Sequence, residues 1–167
     1  NLPAEAADPL GKTKLTPLLK DGGGIRPVAG GECLRKLAAR ALVRENRELL
    51  GEAVGRLQYG AGHPGSAETL MHTVQVVSAA RPESAWVQLD VANAFPSVSR
   101  QAVLDAVTEH APALLPMAEA FLRRASSFVF QDASGLGVEL RATLGVEQGD
   151  VLGPLLFAVA FRRPLEG

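Results

Sequence analysis

The stretch Val151-Leu152-Gly153-Pro154-Leu155-Leu156-Phe157-Ala158-Val159-Ala160-Phe161 carries no charged or hydrogen-bonding side chain. A helix over it is apolar on every side, so it needs a shell of other elements around it. It is too short to span a bilayer, which takes roughly 20 residues, so a core built around this helix is required and no membrane partner is expected. Composition can supply that core. The chain has 167 residues, 47% apolar and 21% charged, which fits one globular domain and excludes a disordered, collagen-like or coiled-coil chain. The single cysteine, Cys33, excludes a disulfide partner and a Cys-based zinc site. A small buried role is expected of it. The start, Asn1-Leu2-Pro3-Ala4, has neither a basic nor an apolar leader region, so no secretory signal is expected.

Proline and glycine punctuate the remainder. Pro3, Pro9 and Pro17 oppose a helix, so residues 1–17 read as irregular. Leu18 to Pro27 reads as two short strands around the tip Gly22-Gly23-Gly24. A helix is predicted from Glu32 to Leu50, with Leu34, Leu37, Ala38, Ala41 and Leu42 as its apolar stripe. Lys36, Arg40, Arg44 and Arg47 fall three or four apart and form one basic face, suited either to solvent or to nucleic acid. A loop over 58–65 precedes a helix from Ser66, its predicted cap, to about Ala80.

Ala85 to Val91 alternates as a strand, with Val87, Leu89 and Val91 on one face and Trp86, Gln88 and Asp90 on the other. Ser99 is predicted to cap a helix to His110, and another helix is expected over Ala113–Arg124. A hairpin should turn at Asp132–Gly135, and Asp150 should cap the final helix. The expected class is α+β, with helices packed on one face of a small antiparallel sheet.

Charge is unevenly spread. Residues 10–60 hold ten Lys/Arg against five Asp/Glu, and residues 61–160 hold five against ten. A basic lobe attracts anions such as phosphate, and an acidic one can hold a hard cation.

Three segments stand out in order. They are Lys20-Asp21-Gly22-Gly23-Gly24-Ile25-Arg26-Pro27, then Leu89-Asp90-Val91-Ala92-Asn93-Ala94-Phe95-Pro96-Ser97-Val98, then Gly145-Val146-Glu147-Gln148-Gly149-Asp150-Val151-Leu152-Gly153-Pro154. Together they resemble the fingers and palm of reverse transcriptases, RNA-directed DNA polymerases, especially those of non-LTR retrotransposons and group II introns. Gln58-Tyr59-Gly60 through Pro64-Gly65-Ser66-Ala67 resembles that family's linker into a palm helix. The resemblance spans about residues 12–160.

The resemblance implies a right-hand polymerase arrangement in one partial domain, with residues 12–80 fingers-like and 81–161 palm-like. It implies that Asp90 is the first metal-binding aspartate for Mg2+, with the Val91 carbonyl as a backbone ligand; the complete family enzyme uses two such ions. Lys20 and Arg26 would close over the phosphates of a deoxynucleoside triphosphate, which suits two cations on a Gly-tipped hairpin. Phe95 would exclude a ribose 2′-hydroxyl. Gln148 would contact the incoming nucleotide, and Gly149 would let the backbone approach closely. The implied partners are an RNA template and a DNA primer, and an intracellular setting.

Pro96 departs from the polar residue often found there in the family. The family's later aromatic-x-Asp-Asp hairpin and thumb have no counterpart up to Gly167, so the chain by itself is expected to be inactive. The same residues leave a second reading open, a non-catalytic nucleic-acid-binding remnant using the basic helix face. A protein-interaction module and an RNA-dependent RNA polymerase are further alternatives; Phe95 speaks against the latter. His63, His72 and His110 show no metal-ligand spacing.

Overall fold

A computed structural model describes residues 9–61, 64–132 and 134–166. The hairpin consists of β1 (Lys12–Leu19) and β2 (Ile25–Gly30), paired antiparallel with Leu18 opposite Arg26 and Pro17 opposite Pro27. Its turn is closed by the Lys20 N–H donating to the Gly24 carbonyl at 2.8 Å, with Gly23 at φ 82°. The strands reach further than the sequence suggested. Residues 12–17 are extended: Pro17 opposes a helix, and it lies beyond Lys12–Lys14, the part of β1 that pairs with β3, so its missing N–H breaks no bond to that strand.

A second hairpin, β3 (Ser126–Gln131) and β4 (Gly137–Ala142), turns on Asp132 as expected. Asp132 Oδ1 accepts from the Ser134 hydroxyl at 2.6 Å and the Leu136 N–H at 3.0 Å. The two hairpins join through β1 and β3, which run parallel with Thr13 beside Phe128. The sheet, ordered β2-β1-β3-β4, is therefore mixed rather than wholly antiparallel. The long helical connection between β1 and β3 is what permits parallel pairing. The α+β class holds.

The helices are α1 (Cys33–Glu45), α2 (Arg47–Val54), α3 (Ser66–Ala80), the short α4 (Ala94–Ser97), α5 (Arg100–His110), α6 (Leu115–Leu122) and α7 (Gly153–Glu166), with a 3-10 turn at Pro112–Leu114. The apolar C-terminal run forms α7 and buries Leu156, Ala158 and Val159. They lie in one core with Val103, Leu104 and Val107 of α5, Leu114, Ala118 and Leu122 around α6, and Leu50, Ala53 and Val54 of α2. Ser99 caps α5 as predicted, its hydroxyl accepting from the Ala102 N–H at 3.3 Å.

Several expectations need correction. The helix predicted over Glu32–Leu50 breaks at Asn46, whose side-chain amide donates to the Leu42 carbonyl at 2.9 Å. Helix α1 buries Arg35 and Ala39, while Leu34, Leu37, Ala38 and Ala41 face solvent. The stripe is displaced because Arg35 has ionic partners in the interior, described below, and they select which side faces inward. Cys33 is exposed, not buried. The N-cap of α3 is Gly65 at φ 68°, and Ser66 makes no capping bond.

Ala85–Val91 is not a strand. All of its residues are exposed and none is paired. Alternation creates a strand only where a neighbouring backbone completes the ladder, and no described strand runs beside this one. Helix α3 likewise buries no residue. Among the described residues no helix is long and apolar enough to cross a membrane.

Candidate functional site

Backbone hydrogen bonds draw three separate segments together. The Val146 N–H donates to the Phe95 carbonyl at 2.9 Å, and the Gly145 N–H to the Val98 carbonyl at 2.8 Å. The Ala29 N–H at the base of β2 donates to the Gln148 carbonyl at 2.7 Å. Glycine makes both approaches feasible. Gly145 sits at φ 76°, where a Cβ would collide with the Pro96 backbone. Gly149 sits at φ 111°, and a Cβ there would lie 2.7 Å from the Ala29 carbonyl oxygen. Both angles fall where side chains are strained. The junction encloses a cavity of about 230 Å³, lined by Leu15, Pro27, Ala29, Pro96, Leu140 and Gln148 among others.

Beneath the junction lies a buried ionic network. The Glu147 side chain is 5% exposed and Arg35 is 6% exposed, with 3.3 Å between Arg35 Nη1 and Glu147 Oε2. Thr13 of β1 donates its hydroxyl to Glu147 Oε2 at 3.2 Å, and Ser126 of β3 donates to Oε1 at 3.2 Å. The other Arg35 nitrogen, Nη2, binds Asp150, and the guanidinium stacks 4.1 Å over the Phe121 ring. Arg100 donates through Nε to the Gly145 carbonyl at 3.0 Å and through Nη2 to Ser126 at 2.8 Å. Burial presses the Arg100 guanidinium below the ordinary arginine range, and the Glu147 charge opposes that shift. One guanidinium, that of Arg35, thus pairs both carboxylates, and Arg100 is linked to Glu147 through Ser126. Among the described residues no buried side-chain nitrogen or oxygen lacks a hydrogen-bond partner, the condition under which buried charge is tolerated.

The residues singled out in the sequence are distributed unevenly about this junction. Gln148 and Gly149 lie in it. Phe95 is half-buried, with its ring 5.1 Å from that of Phe157, so it packs against the core as well as bordering the junction. Lys20 is exposed where the hairpin turn begins, and Arg26 is exposed on β2. Asp90 and Val91 end the unpaired stretch and are exposed, and neither lines the cavity. Lys36 is half-buried, while Arg40, Arg44 and Arg47 are exposed along α1 and the start of α2.

Asp150 is not the expected cap of the last helix, which begins only at Gly153: its carboxylate accepts from the Leu152 N–H at 2.9 Å in the turn ahead of the helix and binds Arg35. His72 bonds Gln75 at 3.3 Å and His110 approaches Glu109 at 3.7 Å, whereas His63 lies outside the described residues. Among the described residues no group of three or more His, Cys, Asp or Glu side chains could hold a metal. A lone exposed carboxylate with a neighbouring carbonyl does not make a two-ion Mg2+ site.

Sequence reasoning missed Arg35, Arg100 and Glu147. For Arg35 a signal existed: it is in helical phase with Ala39, Leu42 and Asn46. Glu147 carried none, because a carboxylate in a Gly-flanked loop normally reads as exposed.

Against known proteins, no family model matches the chain. It is 30% identical over 150 residues to the Retrotransposable element SLACS 132 kDa protein of Trypanosoma brucei gambiense. That alignment takes in 88% of this chain and 12% of the relative, so the chain spans about an eighth of its length. In fold it matches apo telomerase from Candida tropicalis, truncated from the C-terminal domain, at a TM-score of 0.66. That match covers 95% of this chain and 39% of the other, at 10% identity.

Proposed function

We propose that this reverse-transcriptase-like domain forms the fingers and front palm of an RNA-directed DNA polymerase, with residues 12–80 as fingers and 81–161 as palm. The observation that carries the reading is the meeting of two motif segments through the Val146–Phe95 hydrogen bond, with the hairpin strand that follows the remaining motif joined to them through the Ala29–Gln148 bond. A Gly-bounded cleft beside a Gly-tipped basic hairpin suits a triphosphate. The cations that neutralise its phosphates sit on a separate arm from the Gln148–Gly149 turn.

In this reading Lys20 and Arg26 grip the phosphates of a deoxynucleoside triphosphate, Gln148 positions its base and sugar, and Phe95 bars a 2′-hydroxyl. The reaction served is attack of a primer 3′-hydroxyl on the α-phosphate with loss of pyrophosphate. Asp90, with the Val91 carbonyl, is the one metal-binding group proposed in this chain. A magnesium site needs further carboxylates, so the 167 residues alone are expected not to extend a primer. The basic face of half-buried Lys36 with exposed Arg40, Arg44 and Arg47 supports a second reading, RNA binding without catalysis.

Equilibrium binding of a fluorescent deoxynucleoside triphosphate to the chain separates the two. The polymerase reading expects binding that weakens about tenfold when Arg26→Gln removes a charge-assisted contact. RNA affinity that falls steeply with salt, beside no nucleotide binding at all, replaces it with the second reading. Primer extension by the chain itself, abolished by Asp90→Ala, would overturn the expected inactivity. In a protein completed with further carboxylates, Phe95→Val should admit ribonucleotides, and unchanged discrimination removes the gate.

A further inference from the structure

We infer that Glu147 is a positioning residue that locks the base of the fingers hairpin to the Gln148–Gly149 turn, so that both walls of the junction move as one body. Its carboxylate is held from three directions at once. Thr13 reaches it from β1, Arg35 from α1, and Ser126 from β3, itself bonded to Arg100 of α5. Thr13 lies near the start of the hairpin's first strand and Arg35 in the helix that follows its second, while Ser126 and Arg100 belong to the other half of the chain. The residue after Glu147 supplies the carbonyl that accepts from Ala29. Asp150, three positions on, binds the other side of Arg35. The turn is therefore pinned on both flanks of Gln148 by one guanidinium. Glu147, Arg35 and Ser126 are all buried, where hydrogen bonds to charged groups are strong and orphaning one is costly.

The consequence is a division of the hairpin. Its base, from Val28 onward, belongs to the rigid body, and its tip around Lys20–Gly24, which is exposed, is the part left to move. This consequence rests on the nucleotide-site reading. The lock itself does not, and its test needs no nucleotide.

Amide hydrogen exchange of the 167-residue chain, resolved by NMR, reads the lock directly. Ala29 and Val146 report the two walls, and Val107 in α5 reports global opening. Glu147→Gln should speed exchange at Ala29 and Val146 by about tenfold or more while leaving Val107 unchanged. Thr13→Val, which alters only the fingers side, should speed both walls together by about threefold, and Thr13→Ser should restore them. If Glu147→Gln does not fold, the two Thr13 variants decide. Acceleration of Ala29 without Val146, of all three amides equally, or of none overturns the inference. Adding a deoxynucleoside triphosphate to the unaltered chain tests the nucleotide reading separately, through extra protection at the same amides.

Discussion

Leu114 and Leu70 are the same residue in two kinds of helical surroundings. Leu114 is fully buried in the core around α7, while Leu70 on α3 is 49% exposed. The contrast extends to their regions. Around Leu114, helices α2, α5, α6 and α7 share one core, and the ionic network fastens the sheet to it. From Ser66 to Val91 a helix with no buried residue runs into an extended stretch with no partner strand. Both regions are apolar in pattern, yet only one has surfaces to pack against. Amphipathic patterning states what an element can bury, and stability accrues only when a second surface covers it. The positioning and metal-binding residues of the proposed site divide along the same line. Gln148 and Gly149 are held by the packed region, and Asp90 belongs to the bare one.

The largest effect expected on that contrast comes from the network. Arg100→Ala would strip the buried Gly145 carbonyl and Ser126 of their charged donor and remove a positive charge near Glu147. A loss of about 3–5 kcal/mol in urea unfolding is expected, and a loss below about 1 kcal/mol would show that the network does not hold the halves together. Next comes the leucine pair itself. Leu114→Ala should cost about 3 kcal/mol, whereas Leu70→Ala should stay within about 0.5 kcal/mol. Equal costs would mean that α3 is packed in solution, which would remove the contrast.

Gly149→Ala places a methyl group against the Ala29 carbonyl at a left-handed φ. It should destabilise by about 1–3 kcal/mol and lower nucleotide affinity; wild-type stability would deny the close approach.

The smallest effect lies at the far hairpin. The Asp132 carboxyl is held below the usual carboxylate range, chiefly by the Ser134 hydroxyl and then by the Leu136 N–H. A depressed folded value means that its contribution is present above the unfolded value and is lost as pH falls through the folded one. The melting temperature of Asp132→Ala should therefore lie slightly below that of the unaltered chain at neutral pH, and the gap should close in acid. A gap that widens in acid would contradict the hydrogen-bonded turn.

Much of the fold was legible in the residues. The run Val151–Phe161 required a buried helix, and α7 is that helix, though it begins two residues later, at Gly153, and runs on to Glu166. Ser99 marked the start of α5, and both hairpins turn where Gly22–Gly24 and Asp132–Gly135 indicated. These features depend on local chemistry: capping oxygens, turn residues, and helical period. The extent of the hairpin strands, the parallel β1–β3 pairing, the inward rotation of α1 and the failure of Ala85–Val91 to become a strand were not legible. Each depends on a neighbour distant in the chain.

The candidate site divides in the same way. The resemblance of the ordered motifs to a known family marked Gln148, Gly149 and Phe95 as candidates. Glu147 was overlooked, because its role comes from partners at positions 13, 35 and 126.

The sequence by itself determined the inventory: which segments turn, which are apolar, and where the charged and glycine residues of the motifs fall. Tertiary structure alone decided which of those charges are buried and paired, and which apolar faces are covered. Burial and pairing are properties of two surfaces meeting, and no single stretch of chain contains both.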